Sequence, residues 1–230
     1  LKDNGLLFTE ENYLNHQAIK GKKTVVKALC LHIAHDCNMR CKYCFASQGD
    51  FKGDRSLMSE EVGKKSLDFL IKNSGNRRNL EVDFFGGEPL MNFDVIKKII
   101  KYGRSLEKKH NKNLRFTITT NGLLLNDDII DYINKHMYNV VLSIDGRKET
   151  NDNMRYTIGG EGTYDIILPK ILEMAKRRNH KNYYVRGTFT RYNLDFAQDV
   201  LHLADMGFKS ISVEPVVASE ENDYAIQEAD

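Results

Sequence analysis

Between Val25 and Pro215, apolar runs of strand length alternate with longer segments of helical spacing, and this alternation restricts the fold more than any other feature of the chain. Strands are expected over Val25–Ala34, Leu80–Phe85, Arg115–Thr120, Val140–Ile144, Tyr183–Thr190 and Ser210–Val217. Between the first two strands, Ser59 reads as an N-cap ahead of Glu60 and Glu61, with Val62, Leu67, Phe69, Leu70 and Ile71 as the buried face of a helix. Val95, Ile96, Ile99, Ile100, Gly103 and Leu106 recur at helical spacing, and Asn126 caps a helix through Ile129, Ile130, Ile133 and Met137. Further helices are expected over about 163–178 and near 196–206. Alternation at this pitch means an α/β protein with parallel strands joined by right-handed crossovers. About six units are too few to close an eight-unit barrel, which leaves an open partial barrel or a doubly wound sheet.

The chemistry-bearing motifs fall just after successive strands. Strand ends surround one mouth in a barrel, whereas an open sheet offers a crevice at a switch point, so motifs after five consecutive strands favour a barrel-like arc. After the first strand, Cys37, Cys41 and Cys44 stand in a C-x-x-x-C-x-x-C spacing. That spacing suits three thiolates held by one tight loop around an iron–sulfur cluster. A cubane has four irons and normally four thiolates, so three local ligands leave one iron open to bind and reduce a small molecule. The plainer alternatives are a structural zinc site that recruits His35 or Cys30, or buried metal-free thiols. Cys30, amid apolar residues, reads as a core thiol.

The remaining motifs each have a plain alternative. Phe85-Gly86-Gly87-Glu88-Pro89 permits backbone conformations and close approach that other residues would block, or is simply a turn. Asn121 and Gly122 after Thr119 and Thr120 make an ordinary turn pair. Ser143 and Asp145, two apart on a strand, share a face, or Asp145 caps the next segment. Arg155 can grip a carboxylate through two parallel hydrogen bonds, or lie on solvated surface. Arg186 and Thr188 share a face of the fifth strand, and Glu214 at the end of the sixth faces a substrate or pairs with a neighbouring arginine. Lys22-Lys23 and Lys108-Lys109 read as solvated faces.

Composition narrows the function classes. Hydrophobic content of 41% and charged content of 29% describe an ordinary globular protein, and a net charge of +2 makes no case for nucleic acid. No apolar stretch approaches the roughly 20 residues needed to span a bilayer. With three of four cysteines in one motif, a disulfide framework is not expected, and the compartment is expected to be a reducing cytosol of an anaerobic organism. The chain opens at Leu1 and closes on an acidic stretch, so either end is expected to be a cut.

Through the cysteine motif with an aromatic before its last cysteine, and through Gly86-Gly87-Glu88-Pro89 at its place, the chain resembles the radical S-adenosylmethionine (SAM) superfamily over nearly its whole length. Joined to the strand–helix pattern, the resemblance implies a partial (β/α)6 TIM-like barrel of the radical SAM type. It implies an open iron that chelates SAM and an electron that breaks SAM into methionine and a 5′-deoxyadenosyl radical. It implies SAM contacts from Tyr43, Gly86, Gly87, Glu88, Pro89, Thr119, Asn121, Ser143, Asp145, Arg155, Arg186 and Thr188. In these contacts Gly86–Pro89 holds the SAM ammonium and Tyr43 lies against the adenine. Residues 31–46 and the ending Glu214-Pro215-Val216-Val217 look like the peptide-modifying branch with C-terminal SPASM domains, nearest to the maturases of SCIFF peptides.

Those maturases form a thioether between a cysteine sulfur and an α-carbon of a cysteine-rich precursor peptide, with flavodoxin or ferredoxin as electron donor. Their auxiliary 4Fe-4S clusters would need cysteines that this chain lacks. The expected organisation is therefore a linker or remnant of a peptide-recognition domain at 1–23, a radical SAM core at 24–217, and at 218–230 the start of a linker to a SPASM domain. The rival readings are an anaerobic sulfatase-maturing enzyme and a non-catalytic iron–sulfur or zinc protein.

Overall fold

The computed structural model describes residues 25–230; the expected remnant at 1–23 lies outside them. Seven strands, β1 (Ala28–His35), β2 (Ser56–Leu57), β3 (Asn79–Gly86), β4 (Asn113–Thr120), β5 (Asn139–Ser143), β6 (Tyr183–Phe189) and β7 (Ile211–Pro215), form one sheet in the order β2-β1-β3-β4-β5-β6-β7. β2 is antiparallel to β1 and every other pairing is parallel. The helices are α1 (Glu60–Asn73), α2 (Phe93–His110), α3 (Asp127–His136), α4 (Lys148–Met154), α5 (Tyr164–Arg177) and α6 (Ala197–Asp205). A doubly wound sheet reverses its strand order at a switch point. Here the six parallel strands follow chain order without reversal, so right-handed crossovers stack the helices on one side. The fold is the partial (β/α)6 barrel.

Strand alternation separates two faces. Leu80, Val82 and Phe84 of β3 and Leu114, Phe116 and Ile118 of β4 are buried under the helices. Cys30, Glu81, Asp83, Arg115 and Thr117 line a cavity on the other face. Cys30 is therefore not a core thiol: it is exposed and sits beside Asp83 in the β1–β3 register. Val62 and Phe69 are also not core residues; they are 51% and 53% exposed. α1 turns inward the stripe Gly63, Leu67, Leu70 and Ile71, because Gly63 lets α2 approach so closely that a Cβ there would lie 2.2 Å from Ile99 Cδ1. Ser59 and Asn126 cap α1 and α3 as expected, accepting from the Val62 and Ile129 amides. β2 and α4 were not anticipated, since two residues and a polar heptapeptide carry no apolar period.

Candidate functional site

β1 runs directly into the cysteine loop, which is held at both flanks. The Arg40 and Lys42 amides donate to the carbonyls of Tyr156 (2.8 Å) and Met154 (2.9 Å), and the Gly87 and Glu88 amides donate to those of Ala34 and Asp36, both at 2.8 Å. The two glycines after β3 are there for this contact. Gly86 has φ +133°, and a Cβ on it would lie 2.3 Å from Ala34 O; a Cβ on Gly87 would lie 2.1 Å from Asp36 O. Close approach was expected at these glycines, and the backbone that approaches is that of the cysteine loop.

Cys37, Cys41 and Cys44 line one cavity with Gly86, Gly87 and Asn121. Tyr43, Phe45, Phe85, Thr119, Ser143 and Arg155 line both this cavity and a second one that runs on to Arg186, Thr188 and Glu214. The two are halves of a continuous cleft across the C-terminal strand ends. Among the described residues no three His, Cys, Asp or Glu side chains are close enough to hold a single metal ion. His35 packs its ring against Phe51 at 4.8 Å, and Cys30 lines the separate concave cavity, so neither completes a zinc site with the trio. Three thiols spread around a cavity fit a cubane, in which each thiolate takes its own iron. Burial pushes the Cys37 thiol up to about 12 and that of Cys41 upward; bound metal reverses this by stabilising the thiolate.

The wall between the halves is a polar network. Tyr43 Oη donates to Asp145 Oδ2 at 2.6 Å, Arg155 Nη1 donates to Tyr43 Oη at 3.1 Å, and Arg155 Nη2 donates to Ser143 O at 3.2 Å. Arg155 is 6% exposed, and its Nε has no acceptor, alone among buried side-chain polar atoms of the described residues. A buried donor without a partner costs about 1–3 kcal/mol, so this one is built for an acceptor that the protein does not supply.

Several expected site residues serve the walls. β5 ends at Ser143, and beyond it Asp145 turns inward to accept from Tyr43 and from the Thr188 amide at 3.1 Å; it does not line the cleft with Ser143. Burial pushes its carboxyl up, against the pull of the Arg155 guanidinium and the Tyr43 hydroxyl. Glu88 is fully buried and likewise does not line the cleft. Its Oε1 accepts from Leu90 N (3.0 Å) and Thr120 Oγ1 (2.8 Å), and its Oε2 from Asn121 N (2.8 Å). Burial pushes its carboxyl up to about 7 despite these donors. It sets Asn121, whose Nδ2 donates to Asn38 Oδ1 at 2.8 Å and to Cys37 Sγ at 3.7 Å. Pro89 is buried in the turn that follows. Arg186 pairs with Glu214. Sequence reasoning missed the Phe45–Phe85 wall; Phe45 is 73% exposed although it follows the last cysteine directly.

The family described as the 4Fe-4S single cluster domain matches residues 20–167. The radical SAM cyclopropyl synthase TigE of Paramaledivibacter caminithermalis is 28% identical over 192 residues, 76% of this chain and 39% of that protein. A cysteine-type anaerobic sulfatase-maturating enzyme of Clostridium novyi is 30% identical over 140 residues, 59% of this chain and 37% of that protein. A solved structure of anSMEcpe with bound AdoMet superposes with a TM-score of 0.77 at 18% identity, covering 88% of this chain and 56% of that one, a likeness of fold. The chain thus spans well under two thirds of the length of each. No helix among the described residues is long and apolar enough to cross a membrane.

Proposed function

Because the chain belongs to the radical SAM enzymes that carry a 4Fe-4S single cluster domain, we propose that it initiates radical chemistry on a peptide, holding the cluster through Cys37, Cys41 and Cys44. A 4Fe-4S cluster, when bound, supplies the electron that splits SAM into methionine and a 5′-deoxyadenosyl radical. The observation that carries the reading is the continuous cleft, with the cysteine trio at one end and Arg186, Thr188 and Glu214 at the other. Arg155 stands between the halves with a free buried Nε, suited to a carboxylate such as that of SAM. Gly86, Gly87, Thr119, Asn121 and Ser143 bound the SAM half, and Tyr43 bears on it from the cysteine loop. Asp145, Glu88 and Pro89 act from behind it.

The substrate half is open and mixed in character, with exposed Phe45 and Val217 beside the Arg186–Glu214 pair, which suits an extended peptide. The finer assignment is a thioether-forming maturase of a cysteine-rich precursor peptide, reduced by flavodoxin or ferredoxin. Loss of the α-hydrogen, then closure of a substrate sulfur onto that carbon with loss of the thiol hydrogen and one electron to an acceptor, removes two hydrogens in all. The 30% identity to the sulfatase-maturating enzyme favours a second reading, oxidation of a single cysteine.

The test is anaerobic reconstitution with iron and sulfide, then incubation with SAM, dithionite and a cysteine-rich peptide. Formation of 5′-deoxyadenosine is expected, and its absence in protein carrying stoichiometric zinc would end the radical reading. A two-hydrogen loss from the peptide with one thiol newly resistant to alkylation supports the thioether. The same loss with the cysteine itself converted to an aldehyde supports the rival.

A further inference from the structure

At the opposite pole of the arc, the loops that return from helices to strands are bonded into one face. Lys112 Nζ donates to the carbonyls of Gly75 (2.6 Å) and Arg77 (2.9 Å), and the Asn113 amide donates to Arg78 O at 2.8 Å. Arg178 Nη2 donates to Tyr138 O at 2.9 Å, and the Val140 amide to Asn182 O at 3.2 Å. Exposed cations crowd this face. Those in last helical turns, such as Lys108, Lys109 and Lys135, complement the helix dipoles and need no partner. That account does not reach Arg77, Arg78 or Lys181, which are exposed in the loops themselves.

Between the ends of α3 and α5 the face opens into a groove of about 410 Å³ lined by Asn134, Arg177, Arg178, Asn179, Lys181 and Asn182, with no carboxylate in its lining. Arg177 is neutralised by Asp127, Asp131 and Glu173. Arg178 is not. Its Nη1 donates to Asn134 Oδ1 (3.2 Å), its Nε to Lys181 O (3.2 Å) and its Nη2 to Tyr138 O, all neutral acceptors. Neither Arg178 nor Lys181 has an acidic partner among the described residues. Half-buried, Arg178 is a partly desolvated cation without a counter-charge, and burial accordingly lowers its pKa.

We infer that this groove is a docking site for an acidic polypeptide segment, whose carboxylates pair with Arg178 and Lys181 and whose backbone meets the side-chain amides of Asn179 and Asn182. Charge complementarity selects an anion, and the surroundings limit its length. A long polyanion laid along α3 meets exposed Asp127, Asp128 and Asp131 within three turns, whereas a short acidic segment stays inside the groove. The groove lies at the N-terminal ends of β5 and β6, about 20 Å from the cleft at the rise of a strand, so an occupant leaves the cleft open. The inference does not depend on the peptide chemistry proposed above.

The test is a fluorescence-anisotropy titration of labelled oligoglutamate against the reconstituted protein at low ionic strength. Saturable binding is expected, weakened by added salt and reduced about tenfold by Lys181→Glu. Arg178→Gln should also weaken it, and Lys65→Glu on the far helix α1 should not. Formation of 5′-deoxyadenosine without peptide should be the same in Lys181→Glu as in the parent protein. Absence of saturable binding, or unchanged binding in both Lys181→Glu and Arg178→Gln, overturns the inference. So does loss of SAM cleavage in Lys181→Glu, which would make the loop a support of the fold. Tighter, Lys181-dependent binding of a single-stranded oligonucleotide would assign the groove to nucleic acid instead.

Discussion

The Tyr43 hydroxyl donates to Asp145 Oδ2 at 2.6 Å across 102 residues of chain, joining the cysteine loop to the end of β5. Asp145 Oδ1 in turn accepts from the Thr188 amide of β6, and Arg155, just after α4, donates to the same Tyr43 oxygen. One buried network therefore ties four separate segments into the wall that divides the cleft. Its members cannot be exchanged singly without leaving a buried polar group unpaired.

Tyr43→Phe keeps the ring and removes the donor to Asp145. The expected loss is about 1–3 kcal/mol of stability, together with weaker SAM binding as the cysteine loop loses its tie to β5. Urea denaturation of the variant and the parent measures the first effect, and an unchanged midpoint would contradict it.

Gly87→Ala places a methyl group 2.1 Å from Asp36 O, a backbone atom that cannot swing aside. The cysteine loop must shift, so the variant should take up less iron and sulfide while keeping the far-ultraviolet circular dichroism of the parent. Full iron content with normal SAM cleavage would show that the loop tolerates the displacement.

Glu88 gives stability a pH dependence of definite sign. Its folded-state carboxyl is pushed up to about 7 from an ordinary 4.5, so between those values the folded protein holds a proton that the unfolded chain has lost. The contribution is fully present below about pH 4.5 and is lost as pH rises through about 7. At about 1.4 kcal/mol per unit, the whole shift corresponds to about 3 kcal/mol. Glu88→Gln cannot ionise and should remove this slope, while losing stability overall because its amide NH2 cannot accept from the Asn121 amide. Denaturation midpoints of both proteins at pH 5.5 and 8 decide the matter: parallel changes would mean that Glu88 does not titrate there.

Arg155→Lys retains the charge but not the planar fork that serves Tyr43, Ser143 and the free Nε direction at once. SAM affinity should fall about tenfold, or about 1.4 kcal/mol. Arg155→Ala should in addition destabilise the fold by about 3–5 kcal/mol, because it leaves Asp145 as an uncompensated buried charge. Equal SAM affinity for Arg155→Lys and the parent would remove Arg155 from the binding site.

Much of the framework was legible before any coordinates. The apolar period located the six parallel strands and the long helices, and Ser59 and Asn126 cap as their residue types require. Val62 and Phe69 misled because periodicity gives a helix a broad apolar arc, whereas its packed stripe depends on which neighbour comes closest. For α1 that neighbour is α2, admitted by Gly63. In the site, Cys37, Cys41 and Cys44 were recognisable from spacing alone. Asp145 and Glu88 were not recognisable as wall residues, since a carboxylate beside a motif reads the same whether it faces ligand or protein donors.

The sequence by itself determined an α/β chain of six parallel strands with a cysteine trio following the first of them, because periodicity and motif spacing are local properties. Only the tertiary structure decided that the strand order never reverses, that the cleft runs unbroken from the trio to Glu214, and that Arg155 keeps a free donor within it. Those are relations between side chains separated by a hundred residues or more. They exist only once the helices pack on one side of the sheet and curve it into an arc, bringing the ends of distant strands within hydrogen-bonding distance.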